Sequence, residues 1–163
     1  MSIINIHVII DGSAISNKYT RHSTNPRRPV IIDVGDVFMI TEAAALSDPA
    51  SQASSHLQLL AQADSVIRWQ GNDQAINSGF SAIIYDITPS NNHSIFSPIT
   101  PRVRSVATPI PARDNQTLIV DPLQVTVVSV PVYYLIGLVN EPGDVDVLVR
   151  FYISTLSATG TFT

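Results

Sequence analysis

The 163-residue chain has no cysteine, which excludes disulfides, thiolate catalysis and cysteine-ligated zinc. It has one lysine, Lys18, and two glutamates, Glu42 and Glu141. Charged residues make up 13% against 45% hydrophobic ones, with a mean hydropathy of +0.22. A disordered chain has the opposite balance. The net charge of −4 leaves no general electrostatic footprint for nucleic acid. Long apolar runs are also missing. The N-terminal one, Ile3–Ile10, is broken by Asn5 and His7, and has no basic flank before it and no small-residue cleavage site after it. It reads as neither a signal peptide nor a membrane span, and no other run approaches the ~18 residues a spanning helix needs. The expectation is a soluble, cytoplasmic protein with no nucleic-acid or membrane partner, export by another route being left open. Absent cysteine says nothing about compartment. Eleven prolines and seven glycines argue against a helical bundle.

What is present has a period of two. In 145–154, Val145, Val147, Val149, Phe151 and Ile153 fall on one face, and Asp146, Leu148, Arg150 and Tyr152 on the other. Such alternation describes a strand with one buried and one wetter face. Ile4, Ile6, Val8 and Ile10 repeat the pattern at the N-terminus. Further strands are predicted at 30–32, 37–41, 56–60, 64–70, 79–88, 101–107, 117–120 and 123–136, which are rich in Val, Ile, Thr and Tyr. Turn residues separate several of them at 33–36, 71–73 and 141–144. Four prolines within 96–113 favour an edge strand or an extended connection, and Pro131 favours an edge or a bulge. Only 42–47 has helix propensity, and it is short. Many strands with turns and no helices predict one all-β domain over residues 1–163, an antiparallel, jelly-roll-like sandwich.

Constellations that could carry chemistry are sparse. Lys18, Arg21, Arg27 and Arg28 cluster in 17–28. Read functionally this is an anion patch; the solvated-loop reading is preferred because only Tyr19 and His22 supply flat side chains there. Asp144 and Asp146 share a strand face and so are candidate calcium ligands, but calcium wants six to eight oxygens and Arg150 lies on the same face. His7, His22, His56 and His93 lie far apart with no zinc spacing. No nucleophile elbow, phosphate-cradling glycine loop or evident carboxylate pair occurs. Trp69 alternates with apolar Ile67, so a core position is preferred over a sugar platform. The sequons Asn92-His93-Ser94 and Asn115-Gln116-Thr117 arise easily by chance. No catalytic, metal-binding or ligand-binding residue is assigned, and no metal or cofactor is expected. Residues 123–136 carry apolar side chains on both faces, including Val125, Val127, Val130, Val132, Tyr133 and Tyr134. With charge this sparse, they predict a homo-oligomer, a two-fold dimer being the commonest closed form.

The order of several segments resembles the PixA/AidA family of bacterial inclusion-body proteins. The segments are Ile6–Asp11, then Tyr19, Pro26 and Pro29, then Ile31-Ile32, 38–41, 63–69, 83–85, Ser97-Pro98, and Pro142-Gly143 followed by the alternating strand. At 63–69 Ala63 replaces the family's glycine, and the order reads Arg68-Trp69. The resemblance covers most of the chain. It implies a non-enzymatic protein with quorum-sensing or density-dependent expression and a role in host interaction; no catalytic residue comes with it. The family's closing Trp-Asp-Pro segment has no counterpart before Thr163, so its last strand is expected to be missing or replaced by 158–163. Inclusion-forming members are often methionine-rich, and this chain has two, Met1 and Met39. The competing expectation is a lectin-like module that binds carbohydrate, with or without calcium. Host or glycan partners are not identified by the sequence.

Overall fold

A computed structural model describes residues 1–21, 23–74, 79–90, 95–113, 120–143 and 145–155. Among the described residues there are seven strands and little helix. β1 (Ile3–Ile10), β2 (Val37–Ile40), β3 (Val66–Asp73), β5 (Thr100–Arg113) and β6 (Val120–Leu138) form one sheet in the order β2-β1-β3-β6-β5. β4 (Phe80–Pro89) and β7 (Val147–Thr155) form a second, two-stranded sheet. The residues group into two compact units, one of Met1–Pro101 with Tyr134–Thr163 and one of Arg102–Tyr133.

In the first unit the period-two pattern settles which faces are buried. Ile4, Ile6, Val8 and Ile10 point from β1 into the core beside Ile67 and Trp69 of β3 and Leu135 of β6. Ala82, Ile84 and Ile87 of β4 join the same core, and Val145, Val147, Val149, Phe151 and Ile153 pack against it. The odd-numbered face read from 145–154 is therefore the inward one. Trp69 is 2% exposed and meets Phe96 edge-on, ring centroids 5.7 Å apart. Gly71 marks the closest approach of β3 to β4. A Cβ there would lie 2.9 Å from Ile84 Cγ1 and 3.2 Å from its backbone nitrogen.

One expectation of the architecture is corrected. It is not wholly antiparallel, because β1 and β3 run parallel, from Ile3 opposite Val66 to Ile10 opposite Asp73. Parallel neighbours need a long crossover, and residues 11–65 supply one. That crossover holds a short helix the sequence reading missed, α1 (Gly12–Lys18). Its residues are poor helix formers. It stands because Asp11 caps it, accepting from the Ala14 N–H at 2.8 Å, and because Ile15 is buried in the core. The helical tendency at 42–47 is realised only as a 3-10 turn at Ala43–Ala45. Segments 30–32 and 56–60 are not strands. Leu57 and Leu59 still pack on the core, but the Gln58 N–H goes to Ser51 Oγ, and Leu59 makes one isolated bridge to Leu46. Leu57 and Leu59, with Ile32, are thus partly buried without a ladder, while Val30, Ile31 and Leu60 are exposed.

The second unit consists of parts of β5 and β6. β5 is the last strand in its sheet, as its prolines favoured. Pro131 precedes Leu135–Leu138, the stretch of β6 that pairs with β3. There a missing N–H breaks no described bond to β3. The predicted strand at 117–120 and the segment 158–163 lie at least partly outside the described residues.

Candidate functional site

The outward face of the β4–β7 sheet carries a connected group of polar and aromatic side chains. β7 turns its odd positions inward, so Leu148, Arg150 and Tyr152 point away from the core. Asp86 stands opposite Arg150, and Thr88 opposite Leu148. The register shifts between Ile84 and Asp86, leaving Tyr85 as an extra residue. Such a bulge re-aims a side chain. Here the Tyr85 ring stacks on Tyr152, centroids 6.1 Å apart and planes 27° apart. Its hydroxyl donates to the Pro26 carbonyl at 3.0 Å.

Arg150 Nη1 donates to both Asp86 Oδ2 and Thr88 Oγ1, and the Thr88 hydroxyl donates to Asp86 Oδ2 at 2.6 Å. The ion pair is part-exposed, so its contribution to stability is small. What it does is hold three side chains together through mutual hydrogen bonds. Above them lies a cavity of about 440 Å³ lined by Pro26, Arg27, Tyr85, Asp86 and Arg150. It is an open depression on the surface and not an enclosed chamber. Among the described residues no histidine, serine or cysteine lines it.

The loop bearing Arg27 is tied at both ends. The Tyr19 hydroxyl donates to Asp36 Oδ2 at 3.1 Å and accepts the Asp33 N–H at 2.6 Å. Lys18 Nζ bridges Asp33 and Asp36 at 2.9 and 3.0 Å. Its hydrogen bond and charge hold the Asp33 carboxyl below the usual carboxylate range, and the two carboxylates raise the lysine in turn. Nearer the cavity, Asn25 Oδ1 accepts the Arg27 N–H at 2.9 Å, and the Asn25 carbonyl accepts the Arg28 N–H at 3.0 Å. The four-cation cluster of the sequence is thereby divided. Lys18 is consumed by two aspartates, Arg27 lines the cavity, and Arg21 and Arg28 are exposed.

Other sequence candidates do not converge. Asp146 is exposed, and Asp144 lies outside the described residues, so their pairing on one cation is not described. His7 sits on the outer face of β1, its Nδ1 3.4 Å from Asn72, and the His56 ring meets its neighbour Ser55 while its backbone N–H donates to Ser54 Oγ. His22, His93 and the sequon residues 92–94 and 115–117 lie outside the described residues. Among the described residues no three metal-ligating side chains come together, and no helix is long and apolar enough to cross a membrane. Asp86 escaped the sequence reading. The Tyr-Asp-x-Thr and Arg-x-Tyr patterns are visible in the two strands, but the register that faces them is not.

A second surface belongs to Arg102–Tyr133. Val103, Val125 and Val127 are 69%, 64% and 63% exposed, and Val106, Ile110, Val130 and Tyr133 are exposed as well. The two strands thus show apolar side chains to solvent from both faces. An isolated two-stranded ribbon is marginally stable in water.

Set against known proteins, the chain matches over residues 2–159 the family described as PixA, inclusion body protein. Among solved structures it is similar to the crystal structure of an inclusion body protein of that family from Burkholderia cenocepacia J2315. The two share 22% identity with a TM-score of 0.78, over 99% of this chain and 88% of the other. No curated protein matches.

Proposed function

The chain belongs to the PixA family of inclusion body proteins, and from that membership we propose a non-enzymatic β-sandwich protein that self-associates, in the first instance as a two-fold dimer, in host-interaction or density-dependent behaviour. The observation that carries self-association is the ribbon of Arg102–Tyr133, apolar and exposed on both faces. A second copy is the occupant that suits it. Pro101, Pro109 and Pro111 fall on one parity of β5, an end strand of its sheet, and carry no N–H to offer a further strand. They guard that edge against strand addition, so the copies meet face to face. Light scattering of the full chain tests this. The account expects a mass of twice 17.6 kDa at micromolar concentration. A mass of 17.6 kDa across a wide concentration range overturns it.

A second reading, a lectin-like carbohydrate module, is favoured by one observation. The Tyr85–Tyr152 stack stands beside a carboxylate, a hydroxyl and a guanidinium at the mouth of the cavity. Aromatic faces and fixed polar groups together suit a pyranose ring, and nothing in that set requires calcium.

A further inference from the structure

We propose that the cavity beside the β4–β7 sheet takes an acidic carbohydrate, with Arg27 receiving the ligand's carboxylate; this rests on the carbohydrate reading above. Two guanidinium groups and one carboxylate line the cavity, leaving one positive charge in excess on a protein whose net charge is −4. The charges are not equivalent. Asp86 is matched by Arg150 and by the Thr88 hydroxyl. Lys18 is matched by Asp33 and Asp36, and Arg68 lies over the Tyr134 ring at 5.4 Å. Arg27 lines the cavity with no side-chain partner among the described residues, while its backbone is held by Asn25 and its neighbour Pro26 by Tyr85. A positioned guanidinium facing a concavity is a carboxylate receptor, because its planar fork matches two carboxylate oxygens.

The rest of the wall specifies more than an anion. The Tyr85 ring lines the cavity, backed by the half-exposed Tyr152 ring, and presents an apolar plane. Asp86 retains acceptor positions and Arg150 retains N–H donors beyond those they exchange, and these suit the hydroxyls of a sugar ring. A hexuronate offers all three features at once: a carboxylate, a ring face with axial hydrogens, and vicinal hydroxyls. An inorganic anion uses only the first.

The test is titration of the full chain at constant ionic strength with glucuronate, methyl glucoside and inorganic phosphate, followed by calorimetry and by amide NMR shifts. Glucuronate is expected to bind about tenfold or more tightly than methyl glucoside, since a charge-assisted bidentate contact is lost in the neutral sugar. Arg27→Gln should remove that difference by weakening glucuronate far more than methyl glucoside, and Tyr152→Ala, which takes away the ring behind Tyr85, should weaken both sugars. Equal affinity for the two sugars overturns the acidic-ligand inference and leaves the carbohydrate reading standing. Phosphate binding as tight as glucuronate, insensitive to Tyr152→Ala, overturns both in favour of a plain anion site. Absence of any binding at millimolar ligand also overturns both. Arg27 and Tyr152 lie at the surface, so the melting temperature of each variant separates lost binding from lost folding.

Discussion

Side chains divide sharply between those whose role follows from local alternation and those whose role depends on register. Trp69 is of the first kind. Its apolar neighbours on the same face placed it in the core, and Trp69→Ala should cost about 3–5 kcal/mol, measured by denaturant unfolding. A loss below 1 kcal/mol would mean that the core is not centred there. Asp86 and Arg150 are of the second kind. They sit 64 residues apart in sequence, and the bulge at Tyr85 shifts the pairing by one, which no periodicity shows. Two backbone-level effects are also testable. Ala53 has φ +57°, the left-handed region that costs a Cβ-bearing residue energy. Ala53→Gly should therefore be stabilising by about 0.5 kcal/mol despite glycine's added chain entropy; a destabilisation like that of an ordinary alanine-to-glycine change would contradict the strained backbone. Lys18 depresses the Asp33 carboxyl. A depressed folded-state carboxyl favours the native state above its unfolded pKa, and that contribution disappears as pH falls through the folded value. In Lys18→Met the Asp33 carboxyl should titrate at higher pH by NMR than in the parent, and an unchanged titration would remove the bridge from the description.

Strands were more legible than their neighbours in space. β1 and β7 stood out because each buries one face and wets the other. The parallel pairing of β1 with β3 was hidden, since a parallel strand and an antiparallel one show the same alternation when each has a single buried face. α1 was hidden for a different reason: a cap and one buried isoleucine hold it, not propensity. For β7, Val149→Asp places a charge against the core and should cost several kcal/mol, on the order of 3. Asp146→Asn, at an exposed position before the strand, should be nearly silent. Equal melting temperatures for the two variants would reverse the face assignment. Where β3 meets β4, Gly71→Ala forces a Cβ against the Ile84 backbone. It should lower stability by about 1–3 kcal/mol; a neutral result would show that the strands can separate there without cost.

At the scale of the whole molecule, the β-rich class and the family were legible because burial patterns and turn residues are distributed along the entire chain. The candidate site was not, because it is assembled from a loop near residue 26 and two strands that meet only in the fold. The association surface lies between these cases. Apolar side chains on both faces of 123–136 suggested contact with another copy, and they fitted equally well a central strand covered within one chain. Val103, Val125 and Val127 are exposed, which supports the proposed contact. The measurement that bears most directly on self-association is sedimentation of the full chain against Val125→Lys/Val127→Lys, with far-ultraviolet spectra confirming that both fold. The account predicts a dimer for the parent and a folded 17.6 kDa monomer for the variant at the same concentration. A dimer that persists unchanged in the variant, or a parent that is monomeric throughout, would contradict it.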